Sequence, residues 1–164
     1  MRKTKELTLI ASLVALCFVL RYALDALPNI KPITAIIILA SVFLSTRVGA
    51  CTGALTMLIS GILMGFGLWI PLQIIAYIII AIGVKLLPNK NVASIAVYGF
   101  ITPFIYVLIT NLSMLPYIDK SSFVTLWISG LGFDLLHSIS TVVFIVTLYK
   151  PFKHIAEKQI GRQA

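Results

Sequence analysis

The segment Gly130-Leu131-Gly132-Phe133-Asp134-Leu135-Leu136-His137 sets an aspartate and a histidine three positions apart inside a strongly apolar stretch. On a helix that spacing puts both side chains on one face. Such a pair can relay protons, anchor a polar ligand, or pair with itself to order a bundle, and the residues alone leave all three open. Ionisable groups inside apolar spans are costly and face an interior, a cavity or a partner. A relay calls for a second intramembrane carboxylate, and the apolar runs supply none. Gln73 and Tyr77, four apart, share a second predicted helix, and Tyr106, Thr110 and Asn111 a third. Among these Asn111 ranks first as a ligand contact, because a buried amide must find hydrogen-bond partners.

Arg21, Asn29, Lys31, Trp69 and Tyr117 lie at or near the connections between apolar runs. Together they are candidates for loops that wall a ligand pocket. Trp and Tyr in such places also serve as interfacial anchors. The chain lacks GxxxxGK[ST], HExxH and CxxC patterns, so nucleotide or metal chemistry by this chain alone is not expected. Cys17 and Cys51 sit within apolar runs and read as small buried residues. His154 falls in the basic segment PFKHIAEKQIGRQA and reads as solvated. No catalytic residue and no metal ligand is assigned, and the chain is not expected to be an enzyme.

The elements that position these residues follow from composition. Of 164 residues 60% are hydrophobic and 11% charged, with mean hydropathy +1.06. Soluble domains carry about 25% charged residues, so the expectation is an integral membrane protein. The net charge of +8 is scattered between apolar runs instead of clustered on one face, which argues against a nucleic-acid surface.

Apolar runs bounded by charge, Pro and Gly predict a single all-α membrane domain over 1–164, a compact bundle of six transmembrane helices. The predicted helices are roughly 6–26, 33–46, 48–65, 70–87, 92–115 and 122–149, followed by a basic cytoplasmic tail at 150–164. The second is short for a span of about 20 residues, and the split at Arg47 leaves five spans as the alternative. Six spans put Arg2, Lys3, Lys5, Arg47, Lys85, Lys90, Lys150, Lys153, Lys158 and Arg162 on one side. Only Arg21, Lys31 and Lys120 fall on the other. The positive-inside rule then makes both termini cytoplasmic, whereas five spans would export the basic tail.

The first run, IASLVALCFVLR, begins after RKTK as a signal peptide would. No small-x-small cleavage pattern follows, and the expectation is that it stays as helix one. Ala11 and Ala15 lie four apart, extended by Ser12 and Thr8, and form a flat small-residue face suited to close helix docking. Gly49 and Gly53 give the third helix a similar small face, here read as packing within the bundle.

Three features in order, AxxxA at Ala11/Ala15, VGACTGALTMLISGILMG (Val48 to Gly65) and FDLLHSIS (Phe133 to Ser140) followed by Lys150-Pro151-Phe152, resemble the substrate-binding S component of energy-coupling factor (ECF) vitamin transporters. The likeness covers nearly the whole chain. It implies a prokaryotic plasma-membrane protein that binds a vitamin or precursor near the outer surface. It also implies docking through Ala11, Ala15, Thr8 and Ser12 to a transmembrane T component, with two ATPase subunits that hold ATP and Mg. Toppling in the lipid bilayer would then release the ligand inside. The few basic residues on the outer side favour a large, mostly neutral ligand; cobalamin is the expected one, with pantothenate as alternative and Arg21 or Lys31 as its carboxylate partner. The rival classes are a self-contained channel or secondary transporter, and a small membrane enzyme using Asp134 and His137.

Overall fold

The computed structural model describes residues 3–27 and 29–161, the side chains of the last three excepted. Arg2, Pro28 and Arg162 therefore lie outside the described residues. The described chain is all-helical: α1 (Lys3–Ala23), α2 (Ile33–Phe43), α3 (Thr46–Met64), α4 (Trp69–Gly83), α5 (Val92–Asn111) and α6 (Lys120–Gly161). Short 3-10 turns, Val84–Leu86 and Leu112–Met114, extend α4 and α5. Five of the six helices are long and apolar enough to cross a membrane; α2 is the exception.

The second expected span is corrected here. α2 ends at Phe43 instead of continuing to 46, and its 11 residues measure about 16 Å, half of a hydrocarbon core of about 30 Å. Its sequence, ITAIIILASVF, is apolar on every side, and a helix of that kind belongs inside. Its residues from Ile33 to Val42 are all buried, packed by α3, α6, α4 and α5. The chain then reverses within Leu44-Ser45, where Ser45 Oγ accepts from Val48 N at 3.1 Å and caps α3. Asn91 caps α5 in the same way through Ser94 N at 2.8 Å.

The sixth helix also differs from expectation. The segment predicted as a basic tail is helical through Gly161, so α6 runs 42 residues, about 63 Å. Pro151 removes one backbone hydrogen bond, but the apolar face continues past it. Phe152 and Ala156, one turn apart, are both buried. Lys150, Lys153, His154 and Lys158 are exposed on the remaining faces. At the other end of the helix Asp119 is the cap: its Oδ1 accepts from Ser122 N at 3.0 Å and its Oδ2 from Ser121 Oγ at 2.7 Å. These bonds hold its carboxyl down at about 2.

The small residues of α3 are structural, as their spacing suggests. A Cβ added at Gly49 would lie 2.8 Å from Ile37 O on α2. One added at Gly53 would lie 2.7 Å from Tyr77 Cβ on α4 and 3.0 Å from Ile37 Cδ1. Two helices therefore approach α3 at the distance that glycine permits. α3 ends at Gly65, whose φ of 116° is open to glycine at no steric cost.

Candidate functional site

Near the Ile33 end of α2 the helices enclose a cavity of about 160 Å³ lined by Arg21, Asn29, Lys31, Ile33, Gln73, Tyr77, Tyr106, Val107 and His137. Every part of the bundle except α3 supplies a wall. Arg21 comes from the last turn of α1, Asn29 and Lys31 from the α1–α2 connection, and Ile33 from α2. Gln73 and Tyr77 come from one face of α4, Tyr106 and Val107 from α5, and His137 from α6.

The polar groups are held by a small number of defined contacts. His137 Nε2 lies 3.0 Å from Thr34 Oγ1, and that hydroxyl is 3.4 Å from Tyr77 Oη. The Tyr77 and Tyr106 rings meet at 4.7 Å between centroids, tilted by 39°, and the Tyr106 ring meets His137 edge-on at 6.0 Å. Asn29, with φ of 58°, donates through Nδ2 to Phe133 O at 3.0 Å and ties the α1–α2 connection to α6. A short polar side chain tolerates this left-handed backbone better than most. Lys31 Nζ pairs with Asp25 Oδ1 at 3.1 Å.

Arg21 is the exception to this pattern of matched groups. Its Nη1 donates to Met57 Sδ at 3.4 Å, and its Nε is buried with no partner. Among the described residues the ion pairs are Lys31–Asp25 and Arg47–Glu6, so no carboxylate meets this guanidinium. A thioether is a weak acceptor, and a guanidinium carries five donors. The Gln73 amide oxygen is likewise buried without a partner.

Seven of the eleven ligand candidates read from the sequence meet in this cavity: Arg21, Asn29, Lys31, Gln73, Tyr77, Tyr106 and His137. Four do not line it. Trp69 and Tyr117 are exposed. Asn111, ranked first among the spans' polar residues, is only partly buried at the last turn of α5 and does not line the cavity, although Val107 one turn before it does. Asp134 is 2% exposed and one turn from His137, but outside the lining, and its Oδ2 has no partner. No hydrogen bond joins Asp134 to His137 among the described residues; the imidazole uses Thr34 instead.

Sequence reasoning missed Thr34, Met57, Ile33 and Val107. Thr34 had a faint signal, a lone hydroxyl in the first turn of an otherwise apolar helix. Met57, Ile33 and Val107 had none, since their types are common in every span.

A second concavity of about 510 Å³ opens on the outside between α1 and α3, lined by Leu7, Ile10, Ala11, Val14, Ala15, Phe18, Leu55 and Ile59. Ala11 and Ala15 form part of its floor and are exposed. Thr8 and Ser12 are also exposed but stand beside this groove, and Thr8 Oγ1 donates to Thr4 O at 3.0 Å. Among the described residues no cluster of His, Cys, Asp or Glu is arranged to hold a metal ion.

Comparison with curated proteins and with solved structures gives no significant match. A finding at family level covers almost the entire chain. By its match over residues 1–162, the chain belongs to DUF6580, a family of unknown function.

Proposed function

We propose that this chain is the substrate-binding membrane subunit of an ECF-type importer. It takes a small ligand into the cavity beside Arg21 and delivers it inward when docked to a T component and two ATPases. The observation that carries the reading is the convergence of seven polar and aromatic side chains on one cavity at one end of an apolar bundle. Small-molecule sites are concave and hold a few convergent polar groups. In this reading the five long helices cross the plasma membrane and α2 with its flanking connections returns the chain to the Glu6–Arg47 side, so both termini are cytoplasmic and the cavity faces outward, on the side of Arg21 and Lys31. The basic residues of the opposite side, Lys85, Lys90, Lys150, Lys153 and Lys158 among them, meet the cytoplasm, in line with the charge bias of membrane loops.

The groove on α1 supports the docking half of the proposal. Its alanines leave backbone accessible to a partner helix, and close backbone approach drives association where lipid offers no hydrophobic gain. ATP and Mg belong to the partner subunits, and the chain itself performs no bond-making chemistry. The acid/base alternative is set aside because Asp134 neither lines the cavity nor bonds to His137.

The cavity size bears on the ligand. At about 160 Å³ it is well below the 300–1,000 Å³ of sites for drug-sized molecules. That favours a ligand of pantothenate size or smaller over cobalamin.

The test is purification of the tagged chain from its own membrane in mild detergent, followed by uptake assays in vesicles. Two ATPases and a T component in the eluate, with uptake that needs ATP hydrolysis, are expected. A lone homo-oligomer with ATP-independent flux would instead support the channel or secondary-transporter reading.

A further inference from the structure

We infer that the ligand is a small monocarboxylate, gripped at its carboxylate by Arg21 and carrying a hydroxyl or amide that reaches Gln73. The inference rests on the reading of the cavity as a substrate site and names the class of molecule that fits it.

Charge sets the first part. The lining holds two cations, Arg21 and Lys31, and no carboxylate. Lys31 is already matched by Asp25 at 3.1 Å, which leaves one positive charge uncompensated. Arg21 is part-buried with its Nε cut off from water and unpartnered, and a charge withdrawn from water is unfavourable until it is paired, so an anion supplied from outside would complete the guanidinium. One charge calls for a monoanion, and a phosphate ester would bring close to two. The planar guanidinium fork matches a carboxylate in bidentate geometry. Among the described residues the guanidinium makes one weak hydrogen bond, to Met57 Sδ at 3.4 Å, with the Tyr106 hydroxyl nearby, and none at Nε.

Hydrogen bonding sets the second part. The buried Gln73 amide oxygen has no partner, and a buried polar group left so costs stability until something fills the role. His137 and Tyr77 are differently placed, since both already share Thr34. Gln73 is therefore the second open position, and it selects a hydroxyl or an amide on the ligand. Size sets the third part: a cavity of about 160 Å³ lies below the 300–1,000 Å³ of sites for drug-sized molecules, so the ligand is small.

The experiment is isothermal titration of the purified full chain, in nanodiscs, with lactate and pantothenate and with their uncharged counterparts lactamide and panthenol. At least one acid binds, and its neutral counterpart binds roughly 100-fold more weakly or not at all, because the part-buried guanidinium is then left unpaired. Arg21→Gln abolishes acid binding, and Arg21→Lys, which keeps the charge but loses the fork, weakens it at least roughly tenfold. Size-exclusion profiles and helical circular dichroism identify any variant that fails to fold. The acid-against-neutral comparison on the wild-type chain needs no variant. Equal binding of acid and neutral counterpart, binding by none of the acids, or tighter binding of glycerol 3-phosphate than of either acid overturns the inference. Partner co-isolation is a separate measurement. A chain that binds carboxylates but brings down no ATPase keeps this inference and loses the importer reading, and the reverse result does the opposite.

Discussion

Replacing Gly53 with alanine tests how the fold sets the site. The new Cβ would stand 2.7 Å from Tyr77 Cβ, whereas carbon atoms rest at about 3.5–4.0 Å. The helices must therefore separate by roughly 0.8–1.3 Å at this point. The obstructing atom is the first carbon of Tyr77, fixed to the α4 backbone, so no rotamer change relieves the clash. Overpacking of this kind costs about 1–3 kcal/mol, partly offset by alanine's helix preference of up to about 1 kcal/mol over glycine. Gly130→Ala isolates the two terms, because a Cβ there meets nothing within 4 Å and receives only the helical gain. The expected gap between the two variants is thus about 1–3 kcal/mol, or about 2–12 °C in thermal midpoint for a chain of this size. Thermal unfolding in detergent, followed by circular dichroism, measures it. Because Tyr77 lines the cavity, ligand affinity should fall in Gly53→Ala and not in Gly130→Ala. Coincident midpoints for the two variants would refute the claim that α3 and α4 are in glycine-limited contact.

Three other changes test separate parts of the structure. Thr34→Val removes the hydroxyl that His137 Nε2 uses at 3.0 Å and should lower stability by about 1–3 kcal/mol, while Thr34→Ser retains it; matching melting curves for wild type and Thr34→Val would contradict this. Ala11→Trp or Ala15→Trp fills the α1–α3 groove and is expected to abolish ATP-dependent uptake with ligand binding by the isolated chain intact, whereas normal uptake in either variant would remove the docking role. Asp119 has its carboxyl depressed to about 2 by Ser122 and Ser121, so its contribution is complete above about pH 4, its ordinary range, and is lost as pH falls toward 2. Asp119→Asn should flatten the midpoint-against-pH curve over that window, and curves that stay parallel would exclude a role for the cap.

Several features were legible because they depend on local pattern. The apolar runs of α1, α3, α4 and α5 are bounded by charge, Pro and Gly, and the helices start or stop within a few residues of these signals. Gln73 and Tyr77 could be paired from their four-residue spacing, and both reach the cavity. Other features were misread for identifiable reasons. The sixth helix was expected to end at 149, but a proline removes one bond and not the apolar face that Phe152 and Ala156 carry onward. Asn111 looked buried by its apolar neighbours, yet it is only partly buried where its helix ends, and the cavity lining stops one turn earlier at Val107.

By itself the sequence determined helix type, approximate extent, the scarcity of charge, and which few polar residues had to be accommodated in an apolar chain. Those properties follow from short-range rules: hydropathy over about 20 residues, turn and cap chemistry, and helical spacing. Tertiary structure alone decided that α2 is enclosed by its neighbours, that His137 takes Thr34 and not Asp134, and that Arg21 meets a thioether instead of a carboxylate. The last two join residues separated by 103 and 36 positions in the chain. Such pairings depend on which helix faces pack together, and that choice is made by the whole bundle at once.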